Sequence, residues 1–393
     1  MAYKIPEFKF PDFQEAKYQE MPSVTYEEAE SDGVLPDSFY LTTHLPTFYK
    51  LGEEWILPKY NSLNCVAVVE DDDIVIREMR DVKAGDKIIS GSTTDGSQGI
   101  LVYKEGFPED IYSQRSVSVE TSFSQDYDKL FDIMEHEKNN GGHISWVLGP
   151  AVVFDHDTRN ALVHLAENGY IHSLLGGNAM TTHDLEGGFL NTALGQNIYT
   201  QENAPMGHYN HLDLLNEVRT AGSIKNFNDA GNVKDGIIKA LTEMDIPIVL
   251  SGSIRDDGPL PEVMGSTSQA LTETKKILNE ATLIICIATM LHSNSVASLA
   301  SSYKVGDDGK VRPVYFYTID ITENVVNKVG AAREYMAYHP MVTNVQDFCV
   351  ACEKALVTPA QGEMAKAVED EEYETVEVEN NEDAAKGELG NDI

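Results

Sequence analysis

Five apolar runs in this sequence of 393 residues each lead straight into a polar, glycine-rich or charged string. Ile144–Leu148 leads into Gly149-Pro150-Ala151, and Ser173–Leu175 into Gly176-Gly-Asn-Ala-Met-Thr-Thr-His-Asp184. Ile246–Ser251 leads into Ser251-Gly-Ser-Ile-Arg-Asp-Asp-Gly-Pro-Leu-Pro261. Thr282–Ala288 leads into Ala288-Thr-Met-Leu-His-Ser-Asn294, and Val314–Ile319 runs into Asp320. Glycine lets backbone approach a ligand closely and leaves N–H groups free for phosphate at helix starts. An acid closing a late strand is a usual partner of nucleotide ribose hydroxyls. His183, Asp184, Arg255 and Asp256 add proton-transfer and carboxylate-binding groups. Each piece alone has an ordinary reading. A glycine after a strand makes a turn, His183 or His292 packs, Asp320 caps a helix, and Arg255-Asp256-Asp257 forms a solvated ion-paired turn. Their recurrence at successive strand ends points to a dinucleotide site that lacks the G-x-G-x-x-G fingerprint.

The elements that must position these loops alternate. Helical stretches at Thr158–Asn168, Leu212–Ala221, Val233–Glu243, Ser266–Asn279 and Glu323–Val329 lie between or after the apolar runs. Strands that are apolar from end to end, with helices between, imply an α/β fold with a parallel sheet covered on both faces. Ligands of such sheets bind beyond the carboxyl ends of the strands. Residues 34–112 read instead as a smaller N-terminal β domain. Short branched runs at Cys65–Val69, Ile74–Glu78 and Lys87–Ser90 are separated there by turn residues such as those of Asp81–Asp86. Residues 1–33 read as an extended arm, 113–358 as the α/β domain, and 359–393 as an acidic, disordered tail.

Composition excludes several classes. Lys plus Arg is 29 against 64 Asp plus Glu, a formal charge of −35. Phosphate-backbone binding needs basic surface, so a nucleic-acid partner is excluded. Segment Glu363–Ile393 carries twelve acids and two lysines, leaving most of the negative charge on the folded part. No apolar run reaches the ~20 residues of a membrane helix, and the N-terminus has no signal core, so a cytoplasmic protein without a membrane partner is expected. The four cysteines are too few for a disulfide framework. Cys349-Val-Ala-Cys352 has no second pair, and His208-Tyr-Asn-His211 has no adjacent general base, so no metal site is expected.

The same loops resemble a known family. Gly149-Pro-Ala-Val-Val153, Gly177-Asn-Ala179 with His183-Asp184, Ser253-Ile-Arg-Asp-Asp-Gly-Pro-Leu-Pro261, Ala288-Thr-Met-Leu-His-Ser293 and Asp320-Ile321 are similar to archaeal-type ornithine cyclodeaminases. That family shares a region with lysine-ketoglutarate reductase/saccharopine dehydrogenase bifunctional enzymes. Upstream, Leu35-Pro36, Thr42–Thr47, Trp55 and Asp81–Asp86 resemble its β domain, so the similarity runs over about 33–356. The resemblance implies a deoxyhypusine synthase-like NAD-binding domain and conversion of L-ornithine to L-proline and ammonia. It also implies a homo-oligomer. The matching positions for NAD are Asn178, Ala179, Asp257, Thr289, Met290, Leu291, His292 and Asp320, with Asn344 standing where the family has an acid.

Read as chemistry, the reaction recycles one hydride within the site. Asp256 or Asp184 would act on the amines and His183 as proton shuttle. Arg255 would clamp the substrate carboxylate, and Glu120 is a further candidate for the δ-amine. The sequence does not rank these. Phe154-Asp-His-Asp157 replaces the family's His-Thr-Gly-Gly, which leaves open another amino acid or imine as substrate, or a non-catalytic NAD-binding protein.

Overall fold

The computed structural model describes residues 3–112, 127–256 and 258–357. Six parallel strands form the central sheet: β1 (Ile144–Leu148), β2 (Ser173–Gly177), β3 (Ile248–Ser251), β4 (Leu283–Ile287), β5 (Tyr315–Asp320) and β6 (Tyr338–Val342). Their spatial order is β3-β2-β1-β4-β5-β6. β1 and β4 are buried at every position, which is why their sequences show no alternation. β6 is the strand that the apolar pattern misses, because His339 and Pro340 interrupt it. It lies at the sheet edge, where proline is tolerated.

Among the described residues, ten helices cover the sheet: α1 (Asp128–Asn139), α2 (His156–Glu167), α3 (Asn178–Leu190), α4 (Asn210–Ala221), α5 (Ile224–Asp229), α6 (Ile237–Glu243), α7 (Thr267–Glu280), α8 (Met290–Leu299), α9 (Glu323–Ala332) and α10 (Val345–Leu356). Apolar residues of α1–α6 and α10 share one core with Ile144, Trp146 and Leu148. Those of α7–α9 share another with Val147, Ile284, Cys286 and Phe316 on the opposite face. The chain order therefore reverses between β1 and β4, with crossover helices leaving to opposite faces. That reversal is where an open parallel sheet offers a crevice.

Two helices stand where the sequence reads loops. α3 starts at Asn178 and α8 at Met290, in each case within three residues of a strand end. α3 hides from a periodicity search because it has no polar face: Thr181, Thr182, His183, Asp184 and Glu186 are as buried as Met180 and Leu185. Its two glycines are steric. A Cβ on Gly187 would lie 2.9 Å from the Arg159 guanidinium carbon, and one on Gly188 2.3 Å from the Asp235 carbonyl oxygen.

The N-terminal region forms two antiparallel sheets. One has the order Thr25–Glu28, Lys87–Ser90, Val66–Glu70, Asp73–Arg77, so a strand forms within the expected arm. The other has the order Glu54–Ile56, Thr47–Leu51, Ile100–Val102. Phe8, Phe48, Phe107 and Ile111 join the core of the parallel sheet. A buried polar joint reinforces the contact. Asn61 Nδ2 donates to the His44 carbonyl at 2.6 Å, and the Ser302 N–H donates to Asn61 Oδ1 at 2.8 Å. Arg333, fully buried, donates to the carbonyls of Ala300, Ser301 and Val314. Burial pushes its guanidinium down to about 9, still protonated at neutral pH.

Cys349 and Cys352 face the core from α10 as buried thiols, and burial raises both. Among the described residues no three His, Cys, Asp or Glu side chains gather as a metal site. No helix among them is long and apolar enough to cross a membrane.

At the amino end of β1, the His143 ring shares a 3.0 Å hydrogen bond with Ser173 Oγ and lies 5.5 Å from the His172 ring. Burial, and then the neighbouring imidazole, push His143 down to about 4. An unfolded histidine titrates near ~6.5, so below that pH the unfolded chain binds the extra proton. Stability from this group is therefore complete above pH ~6.5 and is lost as pH falls toward 4. His143→Gln is expected to flatten the acid slope of denaturant-midpoint against pH, with a difference at pH ~5 on the order of 1 kcal/mol.

Candidate active site

A cavity of about 300 Å³ opens at the carboxyl ends of β1–β4. Its floor is Gly149, Gly177 and Ser251-Gly252, and its walls are Leu271 and Thr274 of α7 and Thr289, Leu291 and His292 at the start of α8. At Gly149 a Cβ would lie 1.9 Å from the Ala288 carbonyl oxygen, so only glycine lets the β1 and β4 loops meet. Ala288 itself turns into the left-handed region with φ +54°. Gly177 and Thr289 stand as the N-caps of α3 and α8, and neither helix start has a side-chain cap. α2, by contrast, is capped by Asp155. Among the described residues, two helix starts whose first-turn N–H groups have no side-chain partner border a cavity with no Asp, Glu, Lys or Arg in its lining. Such a site can receive an anion through N–H groups and hydroxyls. His292 is half-buried, and loss of water pushes its imidazole down to about 4, so it is neutral there.

A second cavity of about 210 Å³ adjoins the first across Ala179, which lines both. His183, Arg255 and Asp256 converge on it with Thr182 and His211. The loop carrying Arg255 and Asp256 is built from its ends inward. The Gly252 N–H donates to the Met264 carbonyl at 3.0 Å, the Leu260 N–H to Asn178 Oδ1 at 3.0 Å, and Arg219 to the Pro259 carbonyl at 2.8 Å. Asp256 accepts from the Ser253 N–H at 2.7 Å and from its hydroxyl at 2.9 Å. Ser253 lines the first cavity, so this turn ties the two cavities together. Asn178, expected to touch the cofactor, spends its side-chain oxygen on anchoring the loop.

The structure thus brings together His183, Arg255, Asp256, Asn178 and Ala179 around one cavity, and Ala179, Thr289, Leu291 and His292 around the other. Met290 sits exposed in the same turn of α8. It does not bring in three others. Asp184 is fully buried and turned to the scaffold, with Oδ1 2.9 Å from Arg159 Nε and Oδ2 accepting from the Ile238 N–H at 2.8 Å. Asp320 lies outside both linings and accepts from the N–H and hydroxyl of Thr322, each at 3.0 Å, ahead of α9. Asn344 caps α10, accepting from the N–H groups of Gln346 and Asp347 at 2.9 and 3.0 Å. Glu120 and Asp257 lie outside the described residues. The altered loop has its own work: Asp155 caps α2, and the Phe154 ring meets the His183 ring edge-on at 5.7 Å.

Sequence reasoning missed Glu186, whose carboxylate lies 2.8 Å from His183 Nδ1. The signal was the His-x-x-Glu spacing, visible only once residues 178–190 are known to be helical.

The strand order, the crevice at its reversal and the helices on both faces define a doubly wound α/β protein of the Rossmann type. Residues 128–349 match the family described as arginine dihydrolase ArgZ-like, C-terminal, Rossmann fold. The ornithine cyclodeaminase of Archaeoglobus fulgidus is 36% identical over 293 residues, which span 73% of this chain and 70% of that protein. A LOR/SDH protein of Methanococcus maripaludis superposes with a TM-score of 0.73 at 30% identity, covering 86% of this chain and 98% of that one. AgrE, solved as a ternary complex with ornithine and NAD+, superposes with a TM-score of 0.54 at 28% identity, covering 86% of this chain and 47% of that one. The chain belongs to the ornithine cyclodeaminase family, with the ArgZ-like C-terminal domains.

Proposed function

We propose that the protein is an NAD-dependent ornithine cyclodeaminase that converts L-ornithine to L-proline and ammonia. The observation that carries this reading is the pair of adjoining cavities. One is glycine-floored between two helix starts that lack side-chain caps, and the other carries Arg255, Asp256 and His183. The first suits a dinucleotide: backbone N–H groups of α3 and α8 would hold the pyrophosphate, and the apolar wall of Leu271 and Leu291 would cover a ring. The relative AgrE, solved with ornithine and NAD+ together, supports the pairing of cofactor and substrate.

When bound, NAD would supply a reversible hydride acceptor, so that the α-carbon can be oxidised to an imine and the cyclised imine reduced again without net redox change. The protein's own groups do the rest. The planar fork of Arg255 would clamp the substrate carboxylate. Asp256 would attract the cationic amine end, and His183 would take a proton from the amine that attacks and return it to the departing ammonia. Neutral His292 would border the cofactor without placing a positive charge beside it. A cytoplasmic homo-oligomer belongs to the same reading, and sedimentation of the purified chain tests the oligomer.

Titration calorimetry with NAD, followed by a panel of ornithine, lysine and opine-like imines assayed for ammonia and cyclic product, tests the proposal. Heat with NAD and proline from ornithine are expected. No heat, or turnover of another amine alone, overturns it. Arg255→Lys is expected to raise the ornithine KM roughly tenfold with a smaller change in kcat, because lysine cannot form the bidentate pair.

A further inference from the structure

We propose that Glu186 is a positioning residue that holds His183 as the Nδ1–H tautomer, with its Nε2 lone pair left for the second cavity. This rests on the reading of that cavity as the amine site and adds the group that makes His183 a proton acceptor.

Glu186 is fully buried, one turn along α3 from His183, and among the described residues no Lys or Arg pairs with it: its partners there are His183, Thr192 and Gly195. Its Oε2 lies 2.8 Å from His183 Nδ1. Its Oε1 accepts from the Thr192 hydroxyl at 2.7 Å and from the Gly195 N–H at 3.3 Å. Asn210 Nδ2 donates to the same Thr192 oxygen at 2.7 Å, so that hydroxyl proton points at Glu186. The donor order is therefore set along the network. The amide gives to the hydroxyl and the hydroxyl gives to one carboxylate oxygen, which leaves the other oxygen to accept from imidazole. A longer contact from the Leu194 N–H, 3.4 Å to the same ring nitrogen, competes for Nδ1 but is neutral and longer than the charge-assisted bond at 2.8 Å, which is the stronger of the two.

Ring orientation is fixed as well as protonation. Phe154 meets the imidazole edge-on, and Leu194 sits beside it at the cavity wall. Among the described residues, the charged groups facing the ring are Glu186 from its own helix and, on the cavity lining, Arg255 and Asp256 from the loop after β3, with His211 of α4 also on the lining. A buried carboxylate costs several kcal/mol unless it is well paired, so its place behind a cavity histidine calls for a purpose beyond packing. Holding an imidazole in one tautomer, and stabilising the imidazolium that forms when the ring takes a proton, is the purpose this geometry serves.

The test uses the full chain with NAD, selectively labelled with ¹⁵N-histidine, with His183→Gln identifying the His183 signals. The wild type is expected to show His183 as a single Nδ1–H tautomer, and Glu186→Gln a mixture or the Nε2–H form. In turnover, Glu186→Gln is expected to lower kcat by ~10- to 100-fold while the ornithine KM stays within about threefold and NAD affinity is unchanged. A wild-type Nε2–H tautomer, or one unaltered by Glu186→Gln, overturns the proposal, and so does an unchanged kcat. The tautomer readout needs no turnover, so a protein that shows the Nδ1–H form but makes no proline would refute the ornithine reading and leave the positioning role standing.

Discussion

Replacing Asp184 with alanine is expected to destabilise the protein by about 3–5 kcal/mol, the usual cost of stranding one partner of a buried ion pair. Arg159 would be left as a buried cation that keeps Asp235 on one arm and loses the fully buried carboxylate on the other. It reaches Asp184 through Nε at 2.9 Å and the Asp184 carbonyl at 2.9 Å, and meets Asp235 at 2.6 Å on its other arm. Gly187, Gly188 and Gly236 all give it room, for a Cβ at any of them would crowd the guanidinium or its partners. The cluster therefore joins α2, α3 and the turn before α6. Removing both buried charges as Arg159→Met with Asp184→Leu is expected to recover part of the loss, because the one carboxylate then left without Arg159, Asp235, is partly exposed and can turn to water. Urea unfolding of the wild type and these two variants checks this. Turnover by the double variant separates scaffold from chemistry: activity of its folded form is expected, and a stable but inactive double variant would return Asp184 to the catalytic candidates.

Gly149→Val is expected to weaken NAD binding by ~10- to 100-fold, since overpacking by a branched side chain costs about 1–3 kcal/mol. The new Cβ would stand 1.9 Å from the Ala288 carbonyl oxygen and 3.1 Å from Thr289 Cβ. Either the β1 and β4 loops part or the start of α8 moves, and both displace N–H groups proposed to face the pyrophosphate. Calorimetry with NAD on the folded variant measures the loss. An affinity equal to wild type would mean that the strand-order reversal does not hold the dinucleotide.

The sheet was legible in the sequence wherever a strand is buried on both faces, because nothing but apolar residues is tolerated there. Ile144–Leu148 is the clearest instance, with the same bounds in sequence and structure. β6 was not legible, since an edge strand admits His339 and Pro340. The loops after β1–β4 were correctly singled out as the place where cavities form, for the topology of a parallel sheet dictates that place. What they become was not legible. α3 and α8 begin inside the strings read as loops, and their polar residues are buried by tertiary packing that no local pattern encodes. The same limit applies to individual side chains. His183 and Asp184 are neighbours in sequence, yet a helix turns them ~100° apart, one to a cavity and the other to Arg159. Asp320 and Asn344 stand out by position; in the structure Asp320 closes a local turn onto Thr322, and Asn344 caps α10, a role that Asn often fills ahead of a helix.

The most direct test follows one atom through the proposed reaction. L-Ornithine carrying deuterium on its α-carbon, incubated with the protein and NAD in ordinary water, is expected to yield proline that keeps the deuterium at the same carbon, with ammonia released and no net NADH. Proline carrying solvent hydrogen at that position, or deuterium lost to accumulating NADH, would contradict a hydride that leaves and returns within one closed site.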